Sequence, residues 1–138
     1  MADTLGSVNV ALREVEGIPV LDLKGRLTAG VFSETLRDNI ALLAHEGKNN
    51  LVLNMKQVDY VDSSGLGTLV LCFTTLQQNG GALKLTNLSR RQLELMVLTK
   101  LTTVFEVFDD ERDAINSFFP DRVIRRFDIL EFVRSHSA

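Results

Sequence analysis

Side chains that carry chemistry are scarce in this chain: one cysteine and two histidines among 138 residues. Cys72 cannot form an internal disulfide, and no Cys/His spacing of a metal site occurs. It stands within Leu69-Val70-Leu71-Cys72-Phe73, which reads as the setting of a buried, unreactive thiol. Basic charge is not in excess either. The 15 Lys and Arg face 18 Asp and Glu, a net −3 that leaves nothing to neutralise a phosphate backbone, so a nucleic-acid partner is not expected. No apolar run approaches the roughly 18–20 residues that span a bilayer. Met1–Ser7 has neither the basic nor the apolar part of an export signal. A soluble, cytoplasmic protein is expected.

The absences extend to catalytic motifs. The Gly-x-x-x-x-Gly-Lys-Ser/Thr phosphate loop does not occur. A nucleophile elbow needs glycine two residues before its serine, but Asp62 stands two residues before Ser64. The histidines that could act as base, His45 and His136, fall at a helix end and in the tail. The separate carboxylates Asp22, Asp59 and Glu106 read as surface or strand-end residues. No enzyme activity, cofactor or metal is expected.

What is present is ordinary globular composition, 45% hydrophobic and 24% charged, at a length that fits one domain. Val8 to Glu16 alternates as a half-exposed strand. Gly17 separates it from Ile18–Leu23, and so short a connection predicts an antiparallel hairpin, with Pro19 near a strand start or edge. Phe32, Leu36, Ile40 and Leu43 then follow helical spacing up to Gly47. Leu51–Leu53 reads as a strand covered on both faces. Leu66, Leu69 or Val70, Phe73 and Leu76 mark a second helix that stops at Asn79-Gly80-Gly81. Ala82–Thr86 is a further strand. Ser89 and Gln92 form a capping-box pattern before a helix carrying Leu93 and Met96 or Val97. Val104–Phe108 is a last strand, and Asp109-Asp110 opens a helix through Ile115 and Phe118. Strands alternating with single helices imply parallel crossovers, so the fold class is α/β: a small mixed sheet with a hairpin start, packed with helices.

Pro120 ends this pattern. In the tail, Val123, Phe127 and Leu130 are predicted to share one helical face beside Arg122, Arg125 and Arg126. Such a face docks on its own domain or covers a partner or dimer surface. The expected division is a domain over residues 1–119 and a helical extension over 120–138.

The unusual stretch is Asp62-Ser63-Ser64-Gly65-Leu66-Gly67, where a strand hands over to a helix. In open α/β sheets binding sites collect at the carboxyl ends of the strands. The positive end of a helix also accepts negative charge there. Two glycines so near a helix start cost about 1 kcal/mol each relative to alanine. They would leave a bare surface around Ser64 on which another protein can approach. The plainer interpretation is that Asp62, Ser63 or Ser64 merely caps the helix.

This motif, in its strand-to-helix context, resembles the phosphorylation site of bacterial STAS domains of the anti-sigma-factor-antagonist (anti-anti-sigma) type. Gly25-Arg26-Leu27 and Gly80-Gly81 match the surrounding layout, and the resemblance covers roughly residues 5–119. It implies a STAS fold and a protein-binding switch in transcription regulation. The unphosphorylated domain would bind a serine-kinase anti-sigma factor with a histidine-kinase-like ATPase fold. Phosphorylation of the motif's second serine, Ser64, would end that binding, and a PP2C-type phosphatase would reverse it. Asp62, Ser63, Gly65, Leu66, Gly67 and Thr28 would contact the partner. Family members often carry an acidic residue where this chain has Thr28, and the extension beyond Pro120 is a second departure. STAS domains also serve as constitutive scaffold or transporter-associated subunits, in which case Ser64 would be only a cap. Homodimerisation is left open.

Overall fold

The computed structural model describes residues 8–135. Residues 1–7 and 136–138 lie outside it, and with them the amino-terminal segment and His136 considered above. The predicted hairpin is formed by β1 (Val10–Val15) and β2 (Ile18–Leu27), which pair antiparallel. Its turn residues Glu16 and Gly17 both have positive φ, 51° and 84°, which matches the right-handed strand twist. The chain continues through α1 (Val31–His45), β3 (Asn50–Val61), α2 (Ser63–Gln78), β4 (Ala82–Thr86), α3 (Arg90–Leu98), β5 (Glu106–Phe108) and α4 (Glu111–Asn116). After β2 every strand adds parallel to its neighbour, giving one sheet in the order β1-β2-β3-β4-β5. A last helix, α5, spans Ile129–Ser135.

Alternation along the strands sends side chains to two faces. Leu21, Leu23, Leu51, Leu53, Leu83 and Leu85 meet Leu36, Ile40 and Leu43 of α1, Leu69 and Leu76 of α2, and Leu93 and Met96 of α3. Each such buried side chain contributes about 1.5–3 kcal/mol. Val20, Val52 and Phe108 point the other way, onto Ala114 and Ile115 of α4. Beside the start of α4, this second face is polar. Arg13 pairs with Asp22 at 2.7 Å and with Glu111, while Asn54 donates to Asp22 at 2.8 Å and Asn87 to Asn54 at 2.9 Å. Partial burial raises the Asp22 carboxyl, but the hydrogen bonds from Arg13 and Asn54 win and hold it below its usual range. Among the described residues no helix is long and apolar enough to cross a membrane.

Several boundaries differ from the sequence reading, with β1 beginning at Val10 and α4 ending at Asn116 instead of running through Phe118. β2 runs four residues past Leu23, and β3 runs to Val61 instead of stopping at Leu53. Their pairing slips between Asp22 and Lys24 and again between Gly25 and Arg26, so the period-two pattern is lost there. β5 is shorter than Val104–Phe108, because Leu101–Thr103 form a 3₁₀ turn after Lys100 in the left-handed region (φ 61°). In the tail, Val123 is 92% exposed and Leu130 52% exposed. The face that packs is instead Phe127, Ile129, Phe132 and Val133. The helix begins later because Asp128 starts it, its carboxylate accepting the Glu131 N–H at 3.0 Å.

Candidate functional site

The long β2–β3 ribbon outruns β4, whose pairing with β3 ends at Asn54. It therefore carries Leu27 and Val61, which are register partners, to the carboxyl edge of the sheet. Thr28 follows one and Asp62 the other, so the predicted residues Thr28, Asp62, Ser63 and Ser64 come together on one edge.

Asp62 caps α2. Its backbone is extended (φ −104°, ψ −172°), its carboxylate accepts the Gly65 N–H at 2.9 Å, and its carbonyl accepts the Leu66 N–H at 2.9 Å. Ser63 and Ser64 are the first two residues of the helix and both are exposed. Among the described residues neither hydroxyl has a hydrogen-bond partner, and neither backbone N–H does. Of the three candidate caps, Asp62 holds the position, its carboxylate taking one of the orphan donors of the helix start, and Ser64 is not the cap.

The two glycines have different tasks. Gly65 is buried, and a Cβ built on it would stand 2.0 Å from the Leu27 carbonyl oxygen and 3.1 Å from Val61 Cγ1. Its missing side chain lets the first turn of α2 press onto the end of β2. It thus helps to position Ser64. Gly67 is exposed, with nothing within 4 Å of a built Cβ. Leu66 is 8% exposed and reaches the surface only as part of a groove wall.

That groove, about 540 Å³, lies between the end of β3, the start of α2 and α3. Tyr60, Ser63, Leu66, Leu95 and Leu98 line it, with Arg91 and Glu94 on its far side. α3 is set by the predicted capping box, with Ser89 accepting from the Gln92 N–H at 3.2 Å and Gln92 Oε1 accepting from the Ser89 N–H at 3.0 Å. The Gln92 amide also donates to the Val58 carbonyl at 3.0 Å and ties the helix to β3. Beside the site, Arg26 lies over the Tyr60 ring at 4.4 Å.

Helical spacing separates the serines. Ser64, Gly67 and Leu71 recur at i, i+3 and i+7 and share the open face of α2, whereas Ser63 turns into the groove. Leu71 is 51% exposed, and the sequence reading missed it. Its spacing from Ser64 was visible, but the surrounding apolar run hid which leucine faced outward.

His45 ends α1, at the opposite end of β3 from Ser64, roughly 35 Å away at about 3.3 Å per residue. Among the described residues no group of three or more His, Cys, Asp or Glu is placed to hold a metal. Burial pushes the Cys72 thiol up to about 12, against a small opposing effect of Arg37.

This architecture has relatives. The anti-sigma-B factor antagonist of Bacillus subtilis (strain 168) is 33% identical over 102 residues, 73% of this chain and 91% of that protein. An anti-sigma factor antagonist from Mycobacterium paratuberculosis superposes with a TM-score of 0.68 at 19% identity, covering 80% of this chain and 93% of that one. The Bacillus cell fate determinant SpoIIAA in its phosphorylated form gives 0.62 at 22% identity, covering 79% and 98%. At such identities the two structures speak for the fold alone. The STAS domain family model matches residues 9–114, most of the chain, and with the sheet order and the helix-start motif it establishes that this protein belongs to the STAS domain family.

Proposed function

We propose that this chain is a phosphorylation-switched protein-binding module, an anti-sigma factor antagonist with Ser64 as its phosphoacceptor. Residues 1–119 carry the switch and residues 120–138 extend it. The observation that carries this reading is the division of labour at the start of α2. Asp62 caps the helix, which leaves the Ser64 hydroxyl exposed and unpartnered on an open helix face. A serine needed as a cap would be withdrawn from chemistry; this one is not. The relatives lend support: the similar Bacillus subtilis protein is an anti-sigma-B factor antagonist, and SpoIIAA has a phosphorylated form.

In the unphosphorylated state the partner, a serine-kinase anti-sigma factor with a histidine-kinase-like ATPase fold, lies against Ser64, Gly67 and Leu71. Thr28, Asp62, Ser63 and the Leu66 wall form the margin. Gly67 keeps the approach to Ser64 clear. The kinase transfers phosphate from its own ATP to the Ser64 oxygen, which adds about −1.5 to −2 charge and three acceptor oxygens. The N–H groups of Ser63 and Ser64 and the helix dipole accommodate the phosphate. The neighbouring Asp62 carboxylate, already bound to the Gly65 N–H, adds like charge to the same corner. A partner surface fitted to a small neutral hydroxyl is then repelled and released, and a PP2C-type phosphatase resets the site. The chain acts by binding and not by catalysis, in the cytoplasm where ATP is available.

The test uses the full chain, an extract of its own cells and labelled ATP with magnesium. Label should enter the wild type and Ser63→Ala, but not Ser64→Ala. Label retained by Ser64→Ala would refute the assignment.

A further inference from the structure

The family match ends at residue 114, yet the chain goes on to cover the free edge of the sheet. β5 pairs with β4 on one side only, so its other side presents an unpaired row of backbone groups, a template for another strand. Residues 124–129 run alongside and enclose, with Phe105 to Phe108, a cleft of about 500 Å³. Among the described residues no backbone hydrogen bond joins residues 121–128 to β5. The cover is made by side chains instead. Phe127, Ile129, Phe132 and Val133 pack on the main core, Ile124 on the second cluster, and the Phe127 and Phe132 rings meet edge to face at 5.6 Å.

Ion pairs near its start add to this apolar packing. Arg125 reaches Asp110 at 2.8 Å and Asp113 at 3.4 Å, and its backbone N–H donates to Asp113 at 3.2 Å. Arg122 reaches Glu16 of the hairpin turn at 2.7 Å and stacks on Phe119 at 4.0 Å. The exposed pairs, Arg125 with Asp110 and Arg122 with Glu16, are weak singly and weaken further with salt, while the contact of Arg125 with the buried Asp113 is screened less. Residues 121–128 can thus lift without breaking a backbone hydrogen bond to β5.

We propose that residues 121–135 are a releasable strap over an association surface, and that the bared surface joins a second copy of this chain through β5. The occupant follows from what the strap leaves unmet. Its backbone does not pair with β5, and a strand would. Lifting it also uncovers Phe105, Val107 and Phe108, now 3%, 7% and 6% exposed, so two bared copies offer one another the same apolar border. A closed two-fold pair requires antiparallel β5–β5 pairing, which extends the sheet across both copies and leaves no bare edge at the junction.

The experiment compares the full-length wild type, Arg125→Glu, and the double variant Phe127→Ala/Phe132→Ala. Sedimentation velocity is run over a range of concentrations, and amide exchange is followed by mass spectrometry. Wild type at low salt should be monomeric, with protected amides in α5. Both variants, and wild type in concentrated sodium chloride, should exchange residues 124–133 at least about tenfold faster, as expected for local opening. They should also dimerise with concentration while β5 amides gain protection. A released strap on a chain that stays monomeric would overturn the proposal, as would a dimer whose β5 amides still exchange. Unchanged strap protection in both variants and in salt would show that it does not lift. Should the double variant lose its cooperative melt, the salt series on the unaltered chain decides between these outcomes.

Discussion

The two glycines of the site should respond to the same substitution with opposite signs. In Gly65→Ala the new methyl carbon would lie 2.0 Å from a backbone oxygen of Leu27, and real contacts of this kind stay above 3.0 Å. The first turn of α2 must therefore retreat by about 1 Å. The obstacle is backbone at the end of β2, and the helix is anchored by buried Leu66 and Leu69, so the strain is not shed by a rotamer change. Overpacking of this sort costs up to about 3 kcal/mol, and alanine's helix preference returns about 1, leaving a loss of about 2 kcal/mol. At about 2.1 cal/mol/K per residue, 1 kcal/mol moves Tm of a chain this long by about 3 °C, so Gly65→Ala should melt about 7 °C lower. Gly67→Ala meets nothing within 4 Å and has ordinary φ, so it should gain up to about 1 kcal/mol and melt about 3 °C higher. Differential scanning calorimetry on the two variants measures the sign directly. Equal rises in both would refute the close contact between α2 and β2 on which the placement of Ser64 rests.

Other outcomes follow from the same geometry. Asp62→Ala removes the α2 cap and should cost about 1 kcal/mol in urea unfolding, with faster exchange of the Gly65 amide and no loss of cooperativity. Gly67→Val should keep the fold and slow Ser64 phosphorylation in cell extract; an unchanged rate would show that the approach path is elsewhere. Asp22 sits below its unfolded value of about 4, so its contribution is present above that pH and lost as pH falls through the lower folded value. Urea titrations should then show Asp22→Asn losing less stability than wild type below about pH 4. Cys72 is buried and its thiol is pushed up, so it should react with maleimide at pH 8 far more slowly than free cysteine, and at the normal rate once urea unfolds the chain.

Much of this was readable in the sequence where one physical signal dominated. The helical spacing of Phe32, Leu36, Ile40 and Leu43 marks a face that is buried throughout, and Ser89 with Gln92 makes the capping box it spelled. Illegible were features decided by register. Met55, Val58 and Val61 are buried at intervals of three along one strand, a spacing that looks neither helical nor extended, because the pairing with β2 slips beside them. At the site, the motif located Ser64 on the right edge, but the sequence offered three possible caps and two interchangeable glycines. Only the approach of Leu27 to Gly65 tells a packing glycine from an exposed one. The outward turn of Leu71 was hidden for a related reason, since its helix is apolar on most sides and exposure depends on where α1 and α3 lie. In the tail, Asp128 and Glu131 carried a readable start signal, which the apolar stripe from Val123 obscured.

The central claim is that Ser64 changes chemical state in the cell. Chain isolated from its own growing and starved cells, digested and mapped by peptide mass spectrometry across Asp59 to Lys84, tests it most directly. The account predicts phosphate on Ser64, absent from Ser63, at a level that differs between the two states. A fully covered peptide carrying no phosphate in either state would contradict it.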